Sequence, residues 1–245
     1  PRTDSTHTKV ISGYAAFVPA AHTALQNEKT GLFSLLMTDG GGSGAYSAGV
    51  SERNMDVFGQ SIFTGKGLLD VRVFYDLCAD RFPPQRILSH DVLEGGILRT
   101  AFEGRAGITE HFPANERSYF ERMHRWLRGD WQNIRFVLHP LGKTKLPSHT
   151  RYLLAENGLR ALTPVAQLAL LFGSLFLSHG KAALLIAVAL VSVCAGEFFS
   201  LCALVCRQGF SSLTKLYFSR RVPGAAGILM RAFLLCAMLP QTAWC

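Results

Sequence analysis

Acidic residues are almost missing from the last third of this chain. Of 245 residues, 17 are Asp or Glu, and only Glu197 lies beyond residue 160; six of the 25 Lys and Arg are found there. Charged residues make up 17% of the chain, where soluble domains carry roughly 25%. Hydrophobic residues make up 49%, which excludes a disordered or collagen-like polymer. The uneven split also excludes a uniform soluble globule, and points to a polar globular part followed by a membrane part. Cysteine is scarce where a disulfide scaffold would need it. Five of the six (Cys194, Cys202, Cys206, Cys236, Cys245) lie in the apolar tail, where a thiol packs as a small hydrophobe. No Cys or His pair has a zinc spacing, and no internal repeat is visible.

The first residue is Pro1, and Pro1 to Ala21 lacks the basic start and apolar core of a secretory signal. The chain stops inside an apolar segment, Leu239 to Cys245. It is expected to be a piece of a longer polypeptide at both ends.

The apolar tail carries the strongest signal. Ala161 to Leu177 has no charge, and Ala182 to Cys206 has only Glu197. A hydrocarbon core of about 30 Å takes about 20 helical residues. With Ser178-His-Gly-Lys181 between them, the two runs read as a helical hairpin. Val222 to Cys245, which carries Arg231, reads as a third span. Basic residues flank the hairpin at 143–160 (Lys143, Lys145, Arg151, Arg160) and 207–221 (Arg207, Lys215, Arg220, Arg221), whereas its tip has Lys181 alone. The positive-inside rule puts both flanks, and the globular part with them, in the cytoplasm. The net charge of +8 lies mostly in these flanks, which fits an anionic lipid surface rather than nucleic acid. Two readings of Glu197 stand: it lines a polar path, or it sits near a helix end or against a neighbouring helix.

Residues 1–160 mix strand and helix signals. Leu32 to Met37 reads as a short buried strand, and Thr38 to Gly44 as a flexible loop. Leu69 to Cys78 looks helical, Pro83-Pro84 breaks the chain, and Ile108 to Phe112 is a strand candidate ended by Pro113. Arg117 to Val137 has a long helical pattern, and Lys143 to Thr150 leads into the membrane part.

Several motifs fail on inspection. Gly59 to Gly65-Lys66 has one residue too many for a phosphate loop, and Gly67 stands where Ser or Thr belongs. Gly40 to Gly44 lacks the third glycine of a dinucleotide fingerprint. Ser89-His90-Asp91 is no triad, since neighbours in sequence cannot pass a proton along one line. There is no Asp-x-Asp pair. Three segments remain. Phe63-Thr-Gly-Lys-Gly67 is a lysine between glycines. Ser89-His-Asp-Val-Leu-Glu-Gly95 sets Asp91 and Glu94 on one helical face. Arg122-Met-His-Arg-Trp-Leu-Arg-Gly-Asp-Trp131 packs three arginines, His124 and two tryptophans into ten residues. Guanidinium forks suit phosphate, and indole faces suit sugars or cations. The plain structural reading is a solvated helix with two core tryptophans and an Asp130–Arg pair.

In order and composition these segments resemble the glycosyltransferase domain of cyclic β-1,2-glucan synthases. Tyr46 to Ser51 and Asp56-Val-Phe-Gly59 resemble the stretch ahead of the first motif there. The resemblance covers about residues 1–140. It implies an α/β fold of the GT-A type, here its C-terminal part at 1–142, then a basic linker at 143–160 and transmembrane helices at about 161–177, 182–206 and 222–245. In the related processive synthases a Thr-Glu-Asp motif supplies the base and a Gln-x-x-Arg-Trp motif binds nucleotide and acceptor. Asp91 matches the base and Arg125-Trp126 the Arg-Trp pair; Arg122 stands where the wider group has Gln.

The resemblance implies an inverting transfer of glucose from UDP-glucose to a growing β-1,2-glucan chain at a bacterial inner membrane, by a multi-pass protein. Asp91 would deprotonate the acceptor hydroxyl. Arg125, Arg122 and Arg128 would meet the diphosphate, and Trp126, Lys66 and Thr64 the acceptor. His90, Glu94, His124, Asp130 and Trp131 would support them. Mg²⁺ or Mn²⁺ is implied, on an Asp pair expected ahead of Pro1, so this piece is not expected to be active alone. Two readings from other classes remain: a membrane-anchored carbohydrate-binding or assembly subunit with an inactive transferase-like domain, and a transporter with a regulatory polar part.

Overall fold

Strands open the chain. Arg2–Thr3 (β1) pairs antiparallel with Val10–Ser12 (β2), and Ala16–Thr23 (β3) follows. The structure, a computed structural model, describes residues 1–23, 31–37, 52–82, 87–142, 144–208 and 225–245. The expectations at 38–44, at 46–51, at Pro83-Pro84, at Lys143 and over 209–224 lie outside these residues. The chain divides into two compact units. One holds Pro1–Ala24, Gly41–Phe112 and Arg122–Leu159; the other holds Leu25–Gly40, Pro113–Glu121 and Arg160–Cys245.

In the first unit β3 is the central strand of a three-stranded sheet. Leu68–Leu69 (β4) pairs with it antiparallel, Phe17 opposite Leu68, and Thr100–Glu110 (β5) runs parallel, Ala16 opposite Thr100. Pro19 has no N–H to give the ladder, and the register slips there: Pro19 faces Glu103 while Ala20 faces Gly107. The strand expected at Ile108 to Phe112 is the far end of the longer β5. Arg53–Phe58 (α2) starts at Glu52, whose carboxylate accepts the N–H groups of Asn54 and Met55 at 3.0 Å each. Val71–Cys78 (α3) is capped in the same way by Asp70. The helix expected over Leu69 to Cys78 is therefore present, less its first two residues. Asp91–Leu98 (α4) buries Leu93, Ile97 and Leu98 against Val18, Phe63, Phe136 and Leu154. Glu116–Asn133 (α5), which enters this unit at Arg122, continues as a 3₁₀ turn at Ile134–Val137, as its long helical pattern predicts. Over the stretch read as a linker, helix begins at Ser148, and Leu146, Thr150, Leu153 and Leu154 are buried. Its apolar residues pack into this unit instead of spanning a gap.

In the second unit Leu32–Met37 (α1) is a helix, not the strand its apolar run suggested. The segment has no β-branched residue, and Leu and Met are good helix formers. Ser148–Ser174 (α6) enters this unit at Arg160, and His179–Gln208 (α7) and Ala225–Trp244 (α8) follow. Among the described residues two stretches, His179–Phe199 and Ala226–Trp244, are long and apolar enough to cross a membrane. The first expected span is not among them. Its residues 161–174 are the second half of α6, a helix continuous from Ser148. Glu197 of α7 accepts a hydrogen bond from Nε of Arg231 on α8 at 2.8 Å, and both side chains are largely buried. These two opposite charges pair across the helices, which supports the neighbouring-helix reading of Glu197. Three residues before Glu197, Cys194 brings its Sγ to 3.7 Å from that of Cys236. Gln167 of α6 donates to Ser192 Oγ of α7 at 3.0 Å.

Candidate active site

Asp91 and Glu94 occupy the first turn of α4, where free N–H groups and the helix dipole favour negative charge. Burial works the other way and raises both carboxyls above the usual carboxylate range; for Glu94 the charge of Asp91 adds to the rise. Ser89 Oγ donates to Asp91 Oδ2 at 3.4 Å, which lowers the pKa of Asp91 in part, as do the nearby charges of His90 and Lys66. His90 lies flat on Phe82, ring centroids 5.1 Å apart, with Nε2 3.2 Å from the Ile87 carbonyl oxygen and Nδ1 3.7 Å from Glu94.

The glycine-flanked lysine segment lies directly on this carboxylate. At Gly65 φ is +77°, and a Cβ there would stand 2.9–3.0 Å from the Asp91 carboxyl atoms. Only glycine allows both the left-handed turn and the close approach. Lys66 forms an ion pair with Glu110 on β5, so its ammonium is tied across the sheet end, and Thr64 is half-buried beside it. The sequence singled out Lys66 but gave no sign of Glu110, which lies 44 residues away and shares no motif with it.

The arginine–tryptophan helix meets the same place at its C-terminal end. A Cβ on Gly129 would sit 3.1 Å from Cβ of Ser89, Gln132 Oε1 accepts the N–H of Leu88 at 2.7 Å, and Asn133 Nδ2 donates to the Ser89 carbonyl at 2.8 Å. Residues seven apart share a helix face, so Arg125 and Trp126 stand on the face of Gln132 and Asn133, about 10 Å up the axis. His124 and Trp131 fall on the opposite side from Gly129 and are not brought to Asp91 by this contact.

Arg122, Arg125 and Arg128 differ in environment. The guanidinium of Arg122 lies over the rings of Trp126 and Phe112, 4.8 and 5.4 Å from their centroids, whereas Arg125 and Arg128 are exposed. Arg122 thus packs against one face of Trp126. Trp126 and Trp131 are 44% and 46% exposed, so neither is core; the plain reading of the segment as a helix with two buried tryptophans fails there. Asp130 accepts from Asn157 Nδ2 at 3.0 Å. Among the described residues no group of three His, Cys, Asp or Glu could hold a metal ion. Asp91 and Glu94 alone do not make a divalent-cation site.

A half-buried carboxylate with raised proton affinity, one glycine backbone against it, and exposed cations with an exposed indole on an adjoining helix face make a site suited to taking a proton beside an anionic, sugar-sized ligand. No protein-family profile matches the chain. A stretch of 170 residues, 69% of the chain, is 34% identical to the cyclic β-(1,2)-glucan synthase NdvB of Rhizobium meliloti (strain 1021). The chain is therefore related to that synthase, of which it spans 6%.

Proposed function

We propose that the first unit is part of the transfer site of an inverting glucosyltransferase that lengthens β-1,2-glucan from UDP-glucose. The observation that carries this reading is the packing of Asp91, at the start of α4, between the Gly65 backbone and Ser89, whose own backbone the arginine–tryptophan helix grips. Turning an α-linked sugar nucleotide into a β-linked product needs one in-line attack at C1. Asp91 takes the proton of the acceptor hydroxyl as its oxygen attacks; burial has already raised the affinity of this carboxylate for that proton. The leaving diphosphate gains charge as the bond breaks. Arg125 offers a planar fork to it, with Arg128 one turn further along. Trp126, braced by Arg122, gives the acceptor glucose a stacking face. The resemblance also calls for Mg²⁺ or Mn²⁺ at the diphosphate; the described residues do not fit it.

In the same reading residues 161–177, α7 and α8 each cross a bacterial inner membrane, with the first unit on the cytoplasmic side where sugar nucleotides are made. The sister reading, a carbohydrate-binding subunit with an inactive transferase-like domain, shares the exposed tryptophans but needs no base.

The test splits one motif. Arg125→Lys keeps charge and loses the fork, so UDP release falls both with and without β-1,2-glucan acceptor. Trp126→Ala removes a stacking face without charge, so elongation falls more than hydrolysis by water. Because Trp126 is 44% exposed, the variant accumulates normally. Equal loss of both activities in folded Trp126→Ala overturns the assignment, and glucan binding without any turnover in the native protein favours the binding subunit.

A further inference from the structure

Consecutive residues at the end of α5 hold both ends of one dipeptide. Gln132 takes the N–H of Leu88 and Asn133 the carbonyl of Ser89, while Gly129 lets the helix backbone press against the Ser89 side chain. Asn133 is 3% exposed, and its Oδ1 is buried with no hydrogen-bond partner among the described residues. A buried carbonyl left unpaired is a cost to the fold. For stability alone an apolar residue of similar volume would serve better there, so the value of the amide lies in its bond to Ser89.

We propose that Gln132 and Asn133 are positioning residues, which register the Arg125–Trp126 helix against the loop that presents Asp91. This rests on the reading of Asp91 as the base. Ser89 is the link: its backbone is held by Asn133, and its hydroxyl donates to Asp91. The charged groups facing Asp91 are His90 and Glu94 of its own helix and Lys66 of the glycine segment. Releasing the dipeptide removes the Ser89 donation and leaves burial unopposed by it. The proton affinity of Asp91 then rises, and the acidic limb of the rate profile moves to higher pH.

The experiment uses Gln132→Met and Asn133→Leu in the native protein in membranes, with UDP-glucose as donor, rates being normalised to folded protein. A base held in the wrong place loses roughly ten- to a hundredfold in kcat, with KM for UDP-glucose unchanged and the acidic limb shifted upward. An unmoved limb, or a raised KM at unchanged kcat, overturns the proposal, because a merely structural role changes only the amount of folded enzyme. If Asn133→Leu does not accumulate, Gln132→Met decides, since that side chain is only half-buried. Asp91→Asn runs alongside. If it still makes glucan, the base assignment falls and the proposal with it; if it is inactive while both limbs match the wild type, the clamp alone is wrong.

Discussion

Gly65→Ala tests whether the glycine segment shapes the base, because the chain contains a matched control. Gly65 and Gly142 both lie in the left-handed region, at φ +77° and +58°. An alanine at either position suffers the same backbone penalty, about 1–2 kcal/mol. They differ in what the new methyl meets: at Gly142 nothing lies within 4 Å, whereas at Gly65 the Asp91 Oδ1, Cγ and Oδ2 lie at 2.9–3.0 Å. Real Cβ atoms essentially never sit closer than 3.0 Å to a neighbour, so the carboxylate or the segment has to move. Overpacking of this kind adds about 1–3 kcal/mol, and a base displaced by up to an ångström loses about 10²-fold in rate. Gly142→Ala is therefore expected to lose a little stability and no transfer per folded molecule. Gly65→Ala is expected to lose more stability and most of its transfer. Denaturant unfolding in detergent gives the first quantity, and UDP release per folded protein the second. If the two variants behave alike in both, the packing of Gly65 on Asp91 does not matter and the site is wrongly drawn.

Three further outcomes follow from the same geometry. Asp91→Asn abolishes transfer, a loss of roughly 10²–10⁴-fold or more, yet stabilises the fold at neutral pH. The folded carboxyl holds its proton more tightly than the unfolded one, so its contribution is favourable in acid and is lost as pH climbs from the unfolded to the folded pKa. Unfolding curves at pH 3 and pH 7 check this, and a neutral-pH loss of stability in the variant would contradict it. In the second unit Glu197→Leu alone strands Arg231 among apolar helices, at about 3–5 kcal/mol. The double change with Arg231→Leu recovers folded protein, as the yield resistant to denaturing detergent will show; no recovery means that the pair is not coupled. Finally, a cytoplasmic first unit on the same side as the basic residues of 207–221 requires residues 161–177 to cross the bilayer, although their helix ends at Ser174. His179→Cys is expected to react with an impermeant thiol reagent in intact cells, and labelling only after lysis refutes that topology.

Periodicity alone placed the long helix through Trp126, because eighteen residues of one pattern outvote local noise. It also placed Asp91 and Glu94 on one face, since three residues make nearly a turn. Composition alone separated a polar region from an apolar one, because a bilayer selects against charge residue by residue. Leu32–Met37 was misread because six apolar residues carry no period long enough to tell strand from helix. The apolar run at 161–177 does not show that its helix begins as early as Ser148 and ends at Ser174. What no local pattern contains is contact between residues far apart in sequence. Lys66 finds Glu110, Arg231 finds Glu197, and Asn133 finds Ser89 only after the chain has folded. The sequence marks Gly65 and Asp91 as separate motifs 26 positions apart. That a glycine backbone lies against that carboxylate was decided by the packing of α4 beside the sheet, where a side chain on residue 65 has no room.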